Sequence, residues 1–224
     1  MHRKTFELRY WLHVTALIVS FGFISFSNAV AKSDNKPVFV ADQASDDVQL
    51  VANWVVKSRD NHGMPFVILD KKQTKIFTFD ADGQILGIAR ALLGMTEGDY
   101  DQEGIGNKSL AQIPPKLRIT PAGRYIARLG KNGHGGLYLW VDYDANLAIH
   151  PVLNVPGQRR FERIASPDPK EHRISWGCIN VPGTYFETII CPLFKRSKGI
   201  VYILPETKSA KDFFGITPDY LVNK

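Results

Sequence analysis

Phe66-Val67-Ile68-Leu69, Lys75-Ile76-Phe77-Thr78-Phe79 and Ile85-Leu86-Gly87-Ile88-Ala89, joined by Lys71-Lys72-Gln73 and Asp82-Gly83, are the stretch on which the fold turns. The first run is short and continuously apolar, as in a strand buried on both faces. The second alternates with the period of two that sends successive side chains to opposite faces of a sheet. Asp-Gly between two such runs is a hairpin signal, because its glycine takes the positive φ that the turn needs. The pattern repeats downstream in Leu137-Tyr138-Leu139-Trp140-Val141, a turn at Asp144-Ala145-Asn146, then Leu147-Ala148-Ile149-His150. Ile200-Val201-Tyr202-Ile203-Leu204 supplies a last strand. Residues 94–123, rich in Gly and Pro, read as a long loop of the kind that carries function. Six or so strands with two helices predict a mainly β fold.

The helices are expected over 46–57 and 182–194. In the first, Asp46 or Asp47 serves as cap, and Val48, Val51, Ala52 and Val55 share a face. In the second, Pro182 suits the first helical position, and Tyr185, Phe186, Ile189, Ile190 and Leu193 form the apolar stripe. Cys191 falls inside that stripe, where a small thiol packs comfortably without a bridge to Cys178. Two cysteines in 224 residues are too few for a disulfide scaffold or a cysteine-rich zinc site.

At the N-terminus, His2, Arg3, Lys4 and Arg9 precede a mostly apolar run from Trp11 to Phe26, and Ala29-Val30-Ala31 forms a small-residue cleavage signal. Such a run is shorter than the roughly 20 residues of a membrane span. Residues 1–31 are therefore expected to be a signal peptide, with the membrane involved only if the segment stays uncleaved. Residues 32–63 are expected as linker and short helix, 64–206 as one domain, and 207–224 as a tail. Removing 1–31 takes away three basic and one acidic residue, lowering the net charge from +6 to +4. A basic protein outside the cytoplasm, without an aromatic-interleaved basic module, excludes nucleic acid as the expected partner.

The chemistry gathers around Arg173-Ile174-Ser175-Trp176-Gly177-Cys178-Ile179-Asn180-Val181-Pro182. A cysteine after a glycine lets substrate approach without a side chain in the way. A helix starting soon after it favours thiolate, but that field decays within a turn, so a histidine base is required as well. His150, at the end of a strand that opens the loop returning to Cys178, is the first candidate, and His172, six residues before the cysteine, is its rival. Trp176 titrates nothing and reads as a wall of the site.

Ser175-x-Gly177-Cys178-Ile179-Asn180, preceded by Ile149-His150 and by Thr120-Pro121-Ala122-Gly123-Arg124-Tyr125, resembles the L,D-transpeptidase (YkuD-type) catalytic domain over residues 66–205. The resemblance implies an L,D-transpeptidase-type β-sandwich with a few short helices, one following the cysteine. It implies a periplasmic or wall-associated transferase acting on peptidoglycan stem peptides, in cell-wall organisation and cell shape. Cys178 matches the nucleophile and His150 the general base, while Ser175, Gly177 and Asn180 frame the site and the Cys178 N–H serves the oxyanion hole. D-Ala would leave, an acyl-thioester would remain, and an amine would resolve it, with no metal or organic cofactor. The sequence departs from the family pattern in carrying Trp176 where a histidine is usual, and in a longer interval between His150 and Cys178.

Within that interval, residues 155–174 carry Arg159, Arg160, Arg163, Lys170 and Arg173 against Glu162, Asp168 and Glu171. They are read as a lid, with Arg159, Arg160 and Arg173, together with Trp176, as substrate-binding candidates. Two rivals stand beside the transpeptidase reading: an L,D-carboxypeptidase or amidase using the same pair, and a non-catalytic wall-binding protein. A papain-like order is disfavoured because His150 precedes Cys178 in the chain.

Overall fold

The computed structural model describes residues 43–217. The expected signal segment, most of the linker and the last seven residues lie outside the described residues. The mainly β expectation is borne out. The described residues form ten strands: β1 (Phe66–Asp70), β2 (Lys75–Phe79), β3 (Ile85–Arg90), β4 (Leu93–Gly94), β5 (Gly123–Lys131), β6 (Leu137–Asp142), β7 (Leu147–Pro151), β8 (Arg173–Ser175), β9 (Ile179–Val181) and β10 (Gly199–Ile203). Eight of them form one mixed sheet in the order β3-β2-β1-β10-β5-β6-β7-β9, and β4 pairs with β8 separately. Among the described residues no helix is long and apolar enough to cross a membrane.

The sheet has two halves that share β5. Residues 123–127 pair with β10 and residues 128–131 pair with β6, so one long strand passes from the first half to the second. The sequence reading left out this strand. Its alternation, with Tyr125, Ala127 and Leu129 on one face, is diluted by arginines and glycine. Val67, Leu69, Ile76, Val201 and Ile203 from one half and Leu139, Val141, Ile149, Ile179 and Val181 from the other enter a single core. Each such fully buried aliphatic contributes roughly 1.5–3 kcal/mol relative to exposure.

Helices pack against the sheet at two places, one on an outer face and one closing the central core. α1 (Asp46–Ser58) is capped by Ser45, whose hydroxyl accepts from the Val48 N–H at 3.3 Å. It lays Val48, Val51, Ala52 and Val55 on the outer face of β1, β2 and β10, whose side chains Phe66, Phe77, Phe79 and Tyr202 point that way. The C-terminal segment adds α5 (Ala210–Phe214) to the same layer, so residues 210–216 are packed rather than trailing. The helical stretch after the cysteine begins with α3 (Gly183–Tyr185), widens to a π-turn over Phe186–Ile190, and closes with α4 (Cys191–Phe194). Pro192 has no N–H to give the ladder and its ring crowds the preceding turn, which accounts for the widening. Pro182 stands one residue ahead of the helix as its N-cap.

Three further pieces position the site. α2 (Arg160–Ala165) lies in the segment read as a lid. The long loop is folded into three 3-10 turns, Ile105–Asn107, Leu110–Gln112 and Pro115–Leu117. A buried charge cluster clasps its ends. Lys71 is fully buried and donates to Gly98 O, Asp99 Oδ1 and Thr120 O at 2.5, 2.9 and 3.0 Å. Arg173 pairs with Glu206 beside it.

Candidate active site

β7 and β9 run parallel with Ile149 opposite Ile179 and His150 opposite Asn180. Ile149 and Ile179 both point into the core, so period-two alternation puts Ala148, His150, Cys178 and Asn180 on the other face. The same register places Cys178 beside Ala148 and diagonal to His150, the separation at which cross-strand side chains can meet across a sheet face. The long-range pairing of two short strands thus places on one sheet face a histidine and a cysteine that the chain keeps far apart.

His150 is buried, at 5% exposure. Its Nδ1–H donates to the Pro151 carbonyl at 2.8 Å, which leaves Nε2 as the unprotonated nitrogen of the neutral ring. Tyr138 of β6 stacks on the imidazole with ring centroids 4.4 Å apart. Burial pushes the histidine down to about 4, opposed by the Pro151 hydrogen bond and assisted by the Arg160 charge. The orienting partner of this candidate base is therefore a backbone carbonyl, which no side-chain motif announces.

Cys178 is half-buried, with its thiol and that of Cys191 both free. The thiol donates to the Asn146 carbonyl at 3.2 Å. Desolvation raises it above its ordinary value, while a hydrogen bond from the Ala148 backbone and the Arg160 charge pull the other way. Contrary to the expectation of a helix starting soon after the cysteine, β9 stands between Cys178 and α3, so no helix N-terminus abuts the thiol.

The loop around Cys178 is held from three sides. Gly177 has φ +132, and a Cβ there would stand 2.8 Å from the Ile119 carbonyl oxygen, so only glycine fits. Ser175 donates its hydroxyl to Cys178 O at 2.6 Å and accepts the Gly177 N–H at 3.1 Å. Asn180 donates to the same Cys178 carbonyl at 3.2 Å. Thr120, fully buried, accepts the Gly94 N–H at 2.9 Å and donates to Gly177 O at 2.7 Å. Thr120, in the segment that carries the family resemblance, is a strut of the cysteine loop.

Trp176 carries two guanidinium groups against its ring, Arg118 at 5.0 Å and Arg160 at 5.6 Å from the centroid. Of the three arginines singled out in the sequence, only Arg160 reaches this place. It is 4% exposed, and donates from Nη1 to Asn180 Oδ1 at 2.7 Å and from Nε to Gln158 Oε1 at 2.6 Å. Arg159 is exposed and pairs with Glu162 at 2.8 Å. Arg173 is committed to Lys71 O and Glu206 in the charge clasp. His172 is likewise spent: its Nε2–H donates to Ser166 O at 3.0 Å and its Nδ1 faces the Thr74 hydroxyl at 2.5 Å. It is a buried brace of the 155–174 segment and not the rival base.

A cavity of about 430 Å³ opens on the thiol. Ile113, Ile119, Trp140, Leu147 and Trp176 give it apolar walls next to Cys178, and Asp101, Lys108 and His134 are its charged and titratable lining. Burial raises the Asp101 carboxyl above its ordinary range. The indole N–H groups of Trp140 and Trp176 are buried without acceptors. Among the described residues no group of three or more His, Cys, Asp or Glu stands close enough to hold a metal ion.

Fold and site together define a mainly β domain with a cysteine and a histidine on one sheet face beside an apolar cavity. No protein-family model and no curated protein matches the chain. Among solved structures it is similar to a fused Zn-dependent amidase/peptidase/peptidoglycan-binding domain-containing protein from Clostridium acetobutylicum, with 17% identity and a TM-score of 0.40. That match covers 74% of this chain and 65% of the other.

Proposed function

We propose that the chain is an exported cysteine L,D-transpeptidase acting on peptidoglycan stem peptides. The observation that carries the reading is the register of β7 on β9, which sets Cys178 and His150 on one face, with Nδ1 of the histidine anchored on Pro151 and a cavity open at the thiol. Export rests on the reading of residues 1–31 as a signal peptide.

In this reading the acyl donor fills the cavity with its carbonyl at Cys178. Rotation about χ1 releases the thiol from Asn146 O, which lies on the side of Ala148 away from His150, and turns it toward Nε2. With the thiol raised and the imidazole lowered, both are neutral near pH 7, so the proton passes to Nε2 as sulfur attacks. The Gly177 N–H is already donated to Ser175, so the Cys178 N–H receives the developing oxyanion. The C–N bond breaks, His150 returns its proton to the departing amine, and an acyl-thioester remains on Cys178. An incoming amine reverses these steps, attacking the thioester carbonyl and giving its proton to Nε2 as the thiolate leaves.

The test is incubation of the purified protein with a disaccharide-tetrapeptide containing meso-diaminopimelate, read by mass spectrometry beside Cys178→Ala. Release of D-Ala with a cross-linked dimer, abolished in the variant, is expected. Release without a dimer would assign water as acceptor and make the enzyme a carboxypeptidase. Neither product nor a Cys178 adduct would end the enzymatic reading.

A further inference from the structure

Arg160 has a buried guanidinium whose Nη2 has no hydrogen-bond acceptor, although its Nε and Nη1 are held by two amide oxygens. A charged donor left unpaired inside a protein is expensive, and such groups are ordinarily satisfied by protein, water or ligand. Its surroundings are specific. Asn180, which accepts from Nη1, is the register partner of His150, and the guanidinium charge acts on both His150 and Cys178.

The two sides of Cys178 differ. Asn146, Leu147 and Ala148 line the cavity, whereas His150 lies farther along β7, next to Asn180 and Arg160. The group that takes the proton from sulfur and hands it to the leaving nitrogen is His150, so the amine leaves on that side. A D-Ala leaving group has a carboxylate on the carbon next to its nitrogen. An arginine donor is the natural receiver for a carboxylate in a site shielded from water.

We propose that Arg160 is a specificity-determining residue that binds, through Nη2, a carboxylate carried on the carbon adjacent to the reacting nitrogen. The carboxylate enters as the α2 segment shifts, and supplies the missing acceptor. Because the acylation and its reversal share one path, the same subsite selects the incoming amine. It admits the D-centre of a second diaminopimelate or a free D-amino acid, and disfavours the side-chain amine of a protein lysine, whose neighbouring carbon bears no carboxylate. The proposal rests on the transpeptidase reading above.

The experiment compares the wild-type protein on the tetrapeptide donor with a free C-terminal D-Ala and on the same donor ending in D-alaninamide. Acylation of Cys178 is followed by mass spectrometry. In parallel, D-alanine, D-alaninamide and Nα-acetyl-lysine compete as acceptors. A charge-assisted hydrogen bond lost to the amide predicts a preference of about 10- to 100-fold for the free acid as donor and as acceptor. Arg160→Gln is expected to erase the preference by slowing the acid alone, and Arg160→Lys to restore part of it. Equal rates for acid and amide in the wild type would overturn the Arg160 assignment while leaving transpeptidation intact, whether or not either variant folds. No acylation by either donor would instead bring down the transpeptidase reading, and the Arg160 assignment with it.

Discussion

The Thr120 hydroxyl donates to the Gly177 carbonyl at 2.7 Å across 57 positions of sequence, and the same oxygen accepts the Gly94 N–H at 2.9 Å. One side chain therefore ties the cysteine loop to the Gly94 and Thr120 segments, which the Thr96–Ile119 bridge also joins. Thr120→Val keeps the shape but leaves two buried backbone groups without partners. It is expected to cost about 2–5 kcal/mol of stability and to slow Cys178 acylation more than tenfold, while Thr120→Ser retains most of both. Urea unfolding and acylation rates for the pair check this.

Gly177→Ala tests the same loop from the other side. Its φ of +132 disfavours any side chain, and the new Cβ meets the Ile119 carbonyl oxygen at 2.8 Å. Backbone is not free to retreat, so the loop must move. The expected result is a loss of about 1–3 kcal/mol together with acylation too slow to measure. A variant with normal Tm and normal labelling of Cys178 would contradict the close approach.

The pH dependence follows from His150, lowered to about 4 by its burial. A base protonated only below that value keeps working well into acid, so the acidic limb of kcat/KM is expected near pH 4 to 5, not at the 6 to 7 of an exposed histidine. Stability moves in the same sense. The unfolded chain takes up this proton at higher pH than the folded one, so stability falls as pH drops from about 6.5 toward 4, by up to about 3 kcal/mol for this group. His150→Gln should flatten that part of the stability profile, measured by thermal unfolding across pH.

Lys71 offers a prediction remote from the chemistry. It is fully buried against Asp99 at 2.9 Å and Glu206 at 3.5 Å. Removing it in Lys71→Met strands two buried carboxylates, at an expected cost of about 3–5 kcal/mol. Although burial of Asp99 opposes its ionisation, the Lys71 and Thr207 hydrogen bonds win and hold the carboxyl well below the usual range. The stability that rests on this carboxylate is accordingly complete above the ordinary aspartate range and is lost progressively as pH falls below about 4. Limited proteolysis should cut the 98–120 loop first in the variant.

Much of the fold was legible in local pattern. The continuous or alternating apolar runs at 66–69, 75–79, 85–89, 137–141, 147–150 and 200–204 correspond to strands, and the apolar stripes at 46–57 and 182–194 correspond to helical segments. Strands β4, β8 and β9 were not legible, because two or three residues carry no period, and β5 was masked by its arginines. The lid arginines show the limit for charge: Arg159, Arg160 and Arg173 look alike in sequence, yet one is exposed, one is buried at the site and one belongs to a structural clasp.

The residue types by themselves supplied the nucleophile and base candidates, the glycine before the cysteine and the β-rich pattern, since each is a property of a few neighbouring residues. Tertiary structure alone separates the two histidine candidates, because only it shows both ring nitrogens of His172 engaged by distant partners and one nitrogen of His150 left free of the Pro151 carbonyl. It alone turned Thr120 into a strut and Pro151 into the orienter of the His150 ring, because backbone carbonyls and hydroxyls are common to every sequence and acquire a role only from what is packed against them.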